Sequence, residues 1–175
     1  MPIASLPACD ATLLERAVAL ATEAADLAMT GFQSADLAVE QKADGTAVTA
    51  FDRAVERNLR AAIAAAYPDD GVLGEEEDEL VGTSGRRWIV DPIDGTDPFT
   101  RGVVTWGTLV ACEDEHGPLI GVIACPWAGE VTWAGRGLGC WFNGTAARAS
   151  DRPELAGAML ATAGSSTGPP EPSSA

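Results

Sequence analysis

The sequence predicts an α+β fold, a layered α/β sandwich with two N-terminal helices packed on a mostly antiparallel sheet. Three observations carry this. Two stretches of helical apolar periodicity come first, and short apolar runs separated by Gly, Pro, Asp and Asn follow. The composition, 46% apolar and 21% charged over 175 residues, is that of a folded chain. That length predicts about one domain, burying roughly 70% of its unfolded surface.

Residues 10–32 read as the first helix. Leu13, Ala17, Leu20, Ala24 and Leu27 form one stripe, flanked by Leu14, Val18, Ala21, Ala25 and Ala28, while Glu15, Arg16, Thr22, Glu23 and Asp26 lie opposite. Asp10 is placed to cap this helix and Gly31 to stop it. Residues 37–41 predict a short strand and 42–45 a turn. The second helix runs from about Ala50 to Tyr67, with Val55, Leu59, Ala62, Ile63 and Ala66 on its buried face and Pro68 ending it. Strands follow at 88–91, 106–112, 119–125, 130–134 and 140–142, with a hairpin turn at 113–117. From Gly164 onward the Ser- and Pro-rich tail has no large apolar anchor and reads as disordered.

Eleven Lys and Arg against 26 Asp and Glu give a net charge of −15. A surface this acidic repels phosphate backbones and anionic lipid, which excludes nucleic-acid binding through a basic patch and attachment to an anionic membrane. The N-terminus reads as carrying no signal peptide, and no run approaches the ~20 apolar residues of a membrane span. Cys9, Cys112, Cys125 and Cys140 have no metal or redox spacing; they read as small, reduced hydrophobes in a cytoplasmic protein.

The acidity is concentrated. Seven of the eleven residues from Asp69 to Glu79 are Asp or Glu. Glu77, Asp78 and Glu79 read as a solvated loop, whereas Glu75 and Glu76 directly follow the apolar run Val72-Leu73-Gly74 and can point into a cleft. In Trp88-Ile89-Val90-Asp91-Pro92-Ile93-Asp94-Gly95-Thr96 an apolar strand ends at one Asp, and a second follows three residues on. Pro92 lacks an N–H and is expected to stop the sheet ladder there. Asp-Pro-x-Asp-Gly alone is ordinary turn chemistry. Beside Gly74-Glu75-Glu76, the two aspartates make a better divalent-cation site, because converging carboxylates repel unless a cation bridges them. Mg²⁺ takes such oxygen ligands, and the Ile93 carbonyl can add one. The Gly95 and Thr96 amides would favour a phosphate. Upstream, Asp52 either closes a capping box with Thr49 or faces the metal site and polarises a water; both readings stay open.

These segments, with Val48-Thr49-Ala50-Phe51-Asp52, resemble the inositol monophosphatase superfamily. Phe99-Thr100-Arg101-Gly102, the Gly117–Val122 run with Pro126, and Gly135–Gly139 with Asn143-Gly144 continue the match in order. Within the family, Arg101–Leu109 and Trp133–Gly137 look most like the bacterial histidinol-phosphatase branch. The resemblance implies a Mg²⁺-dependent phosphomonoesterase acting on a small phosphate monoester, histidinol phosphate or an inositol monophosphate, by two-metal activation of water. Glu75, Asp91 and the Ile93 carbonyl would ligate one metal; Asp91 would bridge to a second, shared with Asp94. Asp52 and Thr96 would orient the attacking water, Gly95 and Thr96 amides would hold the phosphate, and Lys42 and Glu76 would support the site. A homodimer is common in the family.

The chain departs from the family pattern at Pro98 and Val104, changes expected to be minor. More consequentially, family members continue into a second α/β domain with a W-D-x-A-A motif, and this chain has no Trp-Asp dipeptide. Residues 1–150 are then the metal-binding phosphatase domain and 151–175 the truncated start of the second domain. An alternative of a different class follows: an inactive fragment, or a non-catalytic module that binds Mg²⁺ or a partner through apolar surface left uncovered. His116, alone in a turn, reads as exposed and unsuited to act as a general base.

Overall fold

The first helix begins where its sequence places the cap. The Asp10 carboxylate accepts the Thr12 N–H at 2.8 Å and the Leu13 N–H at 3.1 Å. This computed structural model describes residues 6–35, 37–42 and 45–159. Helix α1 spans Ala11–Met29 and α2 spans Ala50–Ala66, with the short strands β1 (Val39–Gln41) and β2 (Ala47–Thr49) forming an antiparallel pair between them. Then come β3 (Gly71–Gly74), β4 (Arg87–Asp94), the one-turn helix α3 (Thr96–Thr100), β5 (Gly107–Asp114), β6 (Gly117–Cys125), β7 (Glu130–Gly135), β8 (Gly139–Phe142) and β9 (Thr145–Ala147). Strands β3 to β9 lie in sequence order in one sheet; β3 and β4 are parallel and every other neighbouring pair is antiparallel.

This is the expected α+β arrangement, with three local differences. Strands β2 and β9 were not predicted, because three residues are too few to show a period. Pro92 does not stop the ladder: β4 continues to Asp94 through a bulge, and the Thr108 hydroxyl donates to the Pro92 carbonyl at 2.8 Å. The buried stripe of α2 is Asp52, Val55, Glu56, Leu59 and Ile63, so two carboxylates replace the predicted alanines, and Ala66 is exposed. The expected turn at 42–45 lies partly, and the tail from Gly164 wholly, outside the described residues.

Both helices cover one sheet face, against Trp88, Val90, Val110, Cys112, Ile120 and Val122. On the opposite face, cross-strand register lines up Asp91, Leu109, Ile123, Thr132 and Phe142. There Ile123 remains 49% exposed and Phe142 41%, so this side lacks a covering layer among the described residues. The four cysteines are free, Cys9 and Cys112 buried and Cys125 and Cys140 partly so. Among the described residues no helix is long and apolar enough to cross a membrane.

Asp70, within the acidic stretch, is not solvated. Asp70 is buried between α2 and the start of β4, accepting from Ser84 Oγ at 2.6 Å, Arg86 Nε at 3.0 Å and Trp88 Nε1 at 2.9 Å. Tyr67 stacks on Trp88 and lies under the Arg86 guanidinium. Burial works to raise the Asp70 pKa, but these hydrogen bonds outweigh it and hold the carboxyl below its ordinary value near 3.8. The stabilisation is therefore present above that pH and is lost as pH falls through the lowered folded-state value. Asp70→Asn is expected to cost about 3 kcal/mol at neutral pH. It should also flatten the acid limb of a melting-temperature profile below pH ~4. An unchanged acid limb would show that Asp70 carries no such coupling.

Candidate active site

Two features of the backbone bring the carboxylates together. In the parallel pair, Gly74 lies beside Val90, so Glu75 and Asp91 come one step later at the same end of neighbouring strands. In a regular strand Asp91 and Asp94, three residues apart, would face opposite ways. Here Asp91 pairs with Leu109 and Asp94 with Gly107, residues two apart on β5. The bulge around Pro92 absorbs the odd residue and turns both aspartates to one face.

Asp91 is the electrostatic centre of this cluster. Its Oδ1 is buried and has no hydrogen-bond partner. Burial first, then the charges of Glu75 and Asp94, push its carboxyl up to about 7. The Ile93 carbonyl lies 3.1 Å from Thr96 Oγ1.

Of the two readings of Asp52, the structure shows the capping box, and its second oxygen is bonded to Thr96. Asp52 Oδ2 accepts from the Thr49 backbone N–H at 2.8 Å and from Thr49 Oγ1 at 2.6 Å, completing the capping box of α2. Its Oδ1 lies 3.1 Å from Thr96 Oγ1, across to the first residue of α3. The hydroxyl has one proton for two acceptors, Asp52 Oδ1 and the Ile93 carbonyl.

Gly95 makes the turn between β4 and α3 at φ +92°, a conformation that disfavours a side chain. A Cβ there would sit 3.0 Å from the Thr105 carbonyl. Gly95→Ala should therefore cost about 1–3 kcal/mol. In a chain this size that lowers the melting temperature by about 2–4 °C per kcal/mol, which calorimetry would measure. A melting temperature equal to that of the parent would contradict the strain assigned to this turn.

Lys42 closes the other side. Its Nζ lies 2.7 Å from Glu75 Oε1 and 2.6 Å from Glu76 Oε1. Burial disfavours its charge, but the two carboxylates outweigh burial and hold its pKa well above the ordinary lysine value. For Glu76 the balance reverses: burial, with the charges of Glu75 and Asp52, raises its pKa despite Lys42.

In type, this donor set suits a hard divalent cation: carboxylate oxygens, one of them buried and unpartnered, with no His or Cys among them. Among the described residues, no three His, Cys, Asp or Glu side chains already form a cation cage. Glu75 is instead engaged by Lys42. His116 is exposed at the opposite end of the sheet, in the β5–β6 turn.

A profile of the Inositol monophosphatase family matches residues 10–175. The chain belongs to this family. It is 44% identical over 137 residues to a histidinol-phosphatase of Chlorobaculum parvum, covering 78% of this chain and 53% of that protein. It is 43% identical over 132 residues to a histidinol-phosphatase of Mycobacterium tuberculosis, covering 75% of this chain and 51% of that protein. Among solved structures, extragenic suppressor protein suhB from Bartonella henselae superposes with a TM-score of 0.78 at 31% identity, over 83% of this chain and 57% of that one. The chain thus spans about half the length of the curated relatives it matches.

Two residues of this inositol monophosphatase family member bear on the site without having been singled out from the sequence. Thr108 holds the Pro92 carbonyl inside the bulge and is fully buried. Glu56, also fully buried, reaches the turn that carries Glu75. A signal for Glu56 was available: it lies one helical turn after Asp52, on the apolar stripe with Val55 and Leu59. A carboxylate on such a stripe needs buried partners.

Proposed function

We propose that this chain is the metal-binding and water-positioning part of a Mg²⁺-dependent phosphomonoesterase acting on a small phosphate monoester. The β4 bulge carries the reading, since it turns Asp91 and Asp94 to one face beside Glu75. Glu75, Asp91 and the Ile93 carbonyl would hold one Mg²⁺, and Asp91 with Asp94 a second. Such a pair, when bound, supplies an activated water and charge stabilisation for the leaving oxygen.

The chain's own residues then do the positioning. Thr96 Oγ1 orients the water by accepting its proton, and passes its own to Asp52 Oδ1. The capping bonds to Oδ2 keep Asp52 from rotating away. The Gly95 and Thr96 amides hold the phosphate oxygens. Lys42 and Glu76 fix Glu75 from the far side.

The preferred substrate in this reading is histidinol phosphate, which would place the reaction in histidine biosynthesis, with inositol monophosphate as the alternative. Residues 1–150 form the metal-binding domain, 151–175 begin a second, and the protein works in the cytoplasm as a homodimer. A second reading, a non-catalytic module that binds Mg²⁺ or a partner, draws on the uncovered row of Ile123 and Phe142.

The test is phosphate release by the purified chain on histidinol phosphate and inositol 1-phosphate, with Mg²⁺ and with EDTA. Release that needs Mg²⁺ supports the phosphatase reading, and the faster substrate names the branch. A folded chain that releases no phosphate overturns it in favour of the second reading.

A further inference from the structure

Two acidic residues one turn apart on α2 are buried, and they reach different parts of the same site. Asp52 is tied to Thr96. Glu56 is tied to the turn after β3: its Oε2 accepts the Glu76 N–H at 2.7 Å, and its Oε1 accepts the Glu77 N–H at 3.0 Å. Arg60, one turn further on, donates from Nε to Glu56 Oε1 at 2.8 Å and from Nη2 to the Glu77 carbonyl at 2.8 Å. The turn's N–H groups and a carbonyl are therefore both anchored to α2.

The Glu56 carboxylate occupies the space a side chain at Gly74 would take. A Cβ at Gly74 would come within 2.0 Å of Glu56 Oε1. The side chain of Glu56 is fully buried and both of its oxygens already accept donors, so it is not available as a ligand itself. Its energetic role is local, since a buried carboxylate with three donors is satisfied and well ordered.

We infer that Glu56 is the positioning residue that sets where the Glu75–Glu76 turn presents its carboxylates, and so tunes the affinity of the site for a divalent cation. This rests on the metal-dependent reading above. Helix α2 acts as a fixed spacer, with Asp52 holding the Thr96 side and Glu56 the Glu75 side. Groups that orient metal ligands in this way typically change metal affinity 10–100-fold when removed.

The experiment compares Mg²⁺ titration by calorimetry with amide hydrogen exchange at Glu76 and Glu77. Glu56→Gln keeps the shape but turns an amide NH₂ toward donors that need an acceptor. It should weaken Mg²⁺ binding about 10–100-fold and speed exchange at those two amides. Gly74→Ala leaves Glu56 intact but drives a methyl into its carboxylate, and should give the same pair of changes. Asp70→Asn, a buried defect at the other end of β4, should lower the melting temperature while leaving Mg²⁺ affinity within about twofold of the parent, well below the shift expected for Glu56. Unchanged Mg²⁺ affinity in Glu56→Gln, or an equal loss in Asp70→Asn, overturns the positioning role. A parent chain that binds no Mg²⁺ overturns the metal reading and this role with it; faster exchange in Glu56→Gln would then mark only a structural anchor.

Discussion

Asp91→Asn is expected to move stability in opposite directions with and without metal. In the metal-free chain above pH ~7, where Asp91 is ionised, it removes one of three neighbouring carboxylate charges and leaves an amide that can donate. Relief of that repulsion is worth on the order of 1–2 kcal/mol for partly buried groups. The metal-free melting temperature should therefore rise by a few degrees. With Mg²⁺ the sign reverses, because the parent gains stability from the bound ion and the variant does not. Phosphate release should fall about 10³-fold, the equivalent of several kcal/mol of lost charge stabilisation. Melting curves in EDTA and in Mg²⁺, run on both proteins, read this directly. A variant that still gains stability from Mg²⁺ as the parent does would remove Asp91 from the metal site.

Asp52→Asn is expected to separate catalysis from folding. Thr49 presents an N–H and a hydroxyl to Oδ2, and Thr96 presents a hydroxyl to Oδ1. An Asn keeps one acceptor oxygen, which the cap at Thr49 will claim, and turns its NH₂ toward Thr96. The cap then loses only about 1 kcal/mol. Thr96, however, can no longer pass a proton in that direction, and the rate should drop about 10²–10⁴-fold, the range for a lost general base. Rate and melting temperature measured on one preparation decide it. A variant slowed no more than its stability loss explains would make Asp52 a cap and nothing else.

The candidate site was legible in proportion to how local its chemistry is. Glu75, Glu76, Asp91 and Asp94 stand beside apolar runs and turn residues, so their clustering could be read from spacing. Pro92 was misjudged because a missing N–H can end a ladder or sit in a bulge, and the choice depends on the partner strand. There the Thr108 hydroxyl and the two-residue step on β5 settle it. Asp70 was counted in the acidic stretch and given no role of its own. Its partners Ser84, Arg86 and Trp88 lie 14 to 18 residues away, a separation no local pattern reports.

By itself, the sequence determined the two amphipathic helices, the Asp10 cap of the first, the α+β class and the family, and it named the carboxylates proposed to bear the chemistry. Those properties depend on periods of a few residues and on ordered motifs, which the chain carries wherever it folds. Only the tertiary structure decided the facing of Asp91 and Asp94, the double use of Asp52, and the hold of Glu56 on the Glu75 turn. Each depends on a hydrogen bond or register step between segments far apart in the chain, and such partners are chosen by packing.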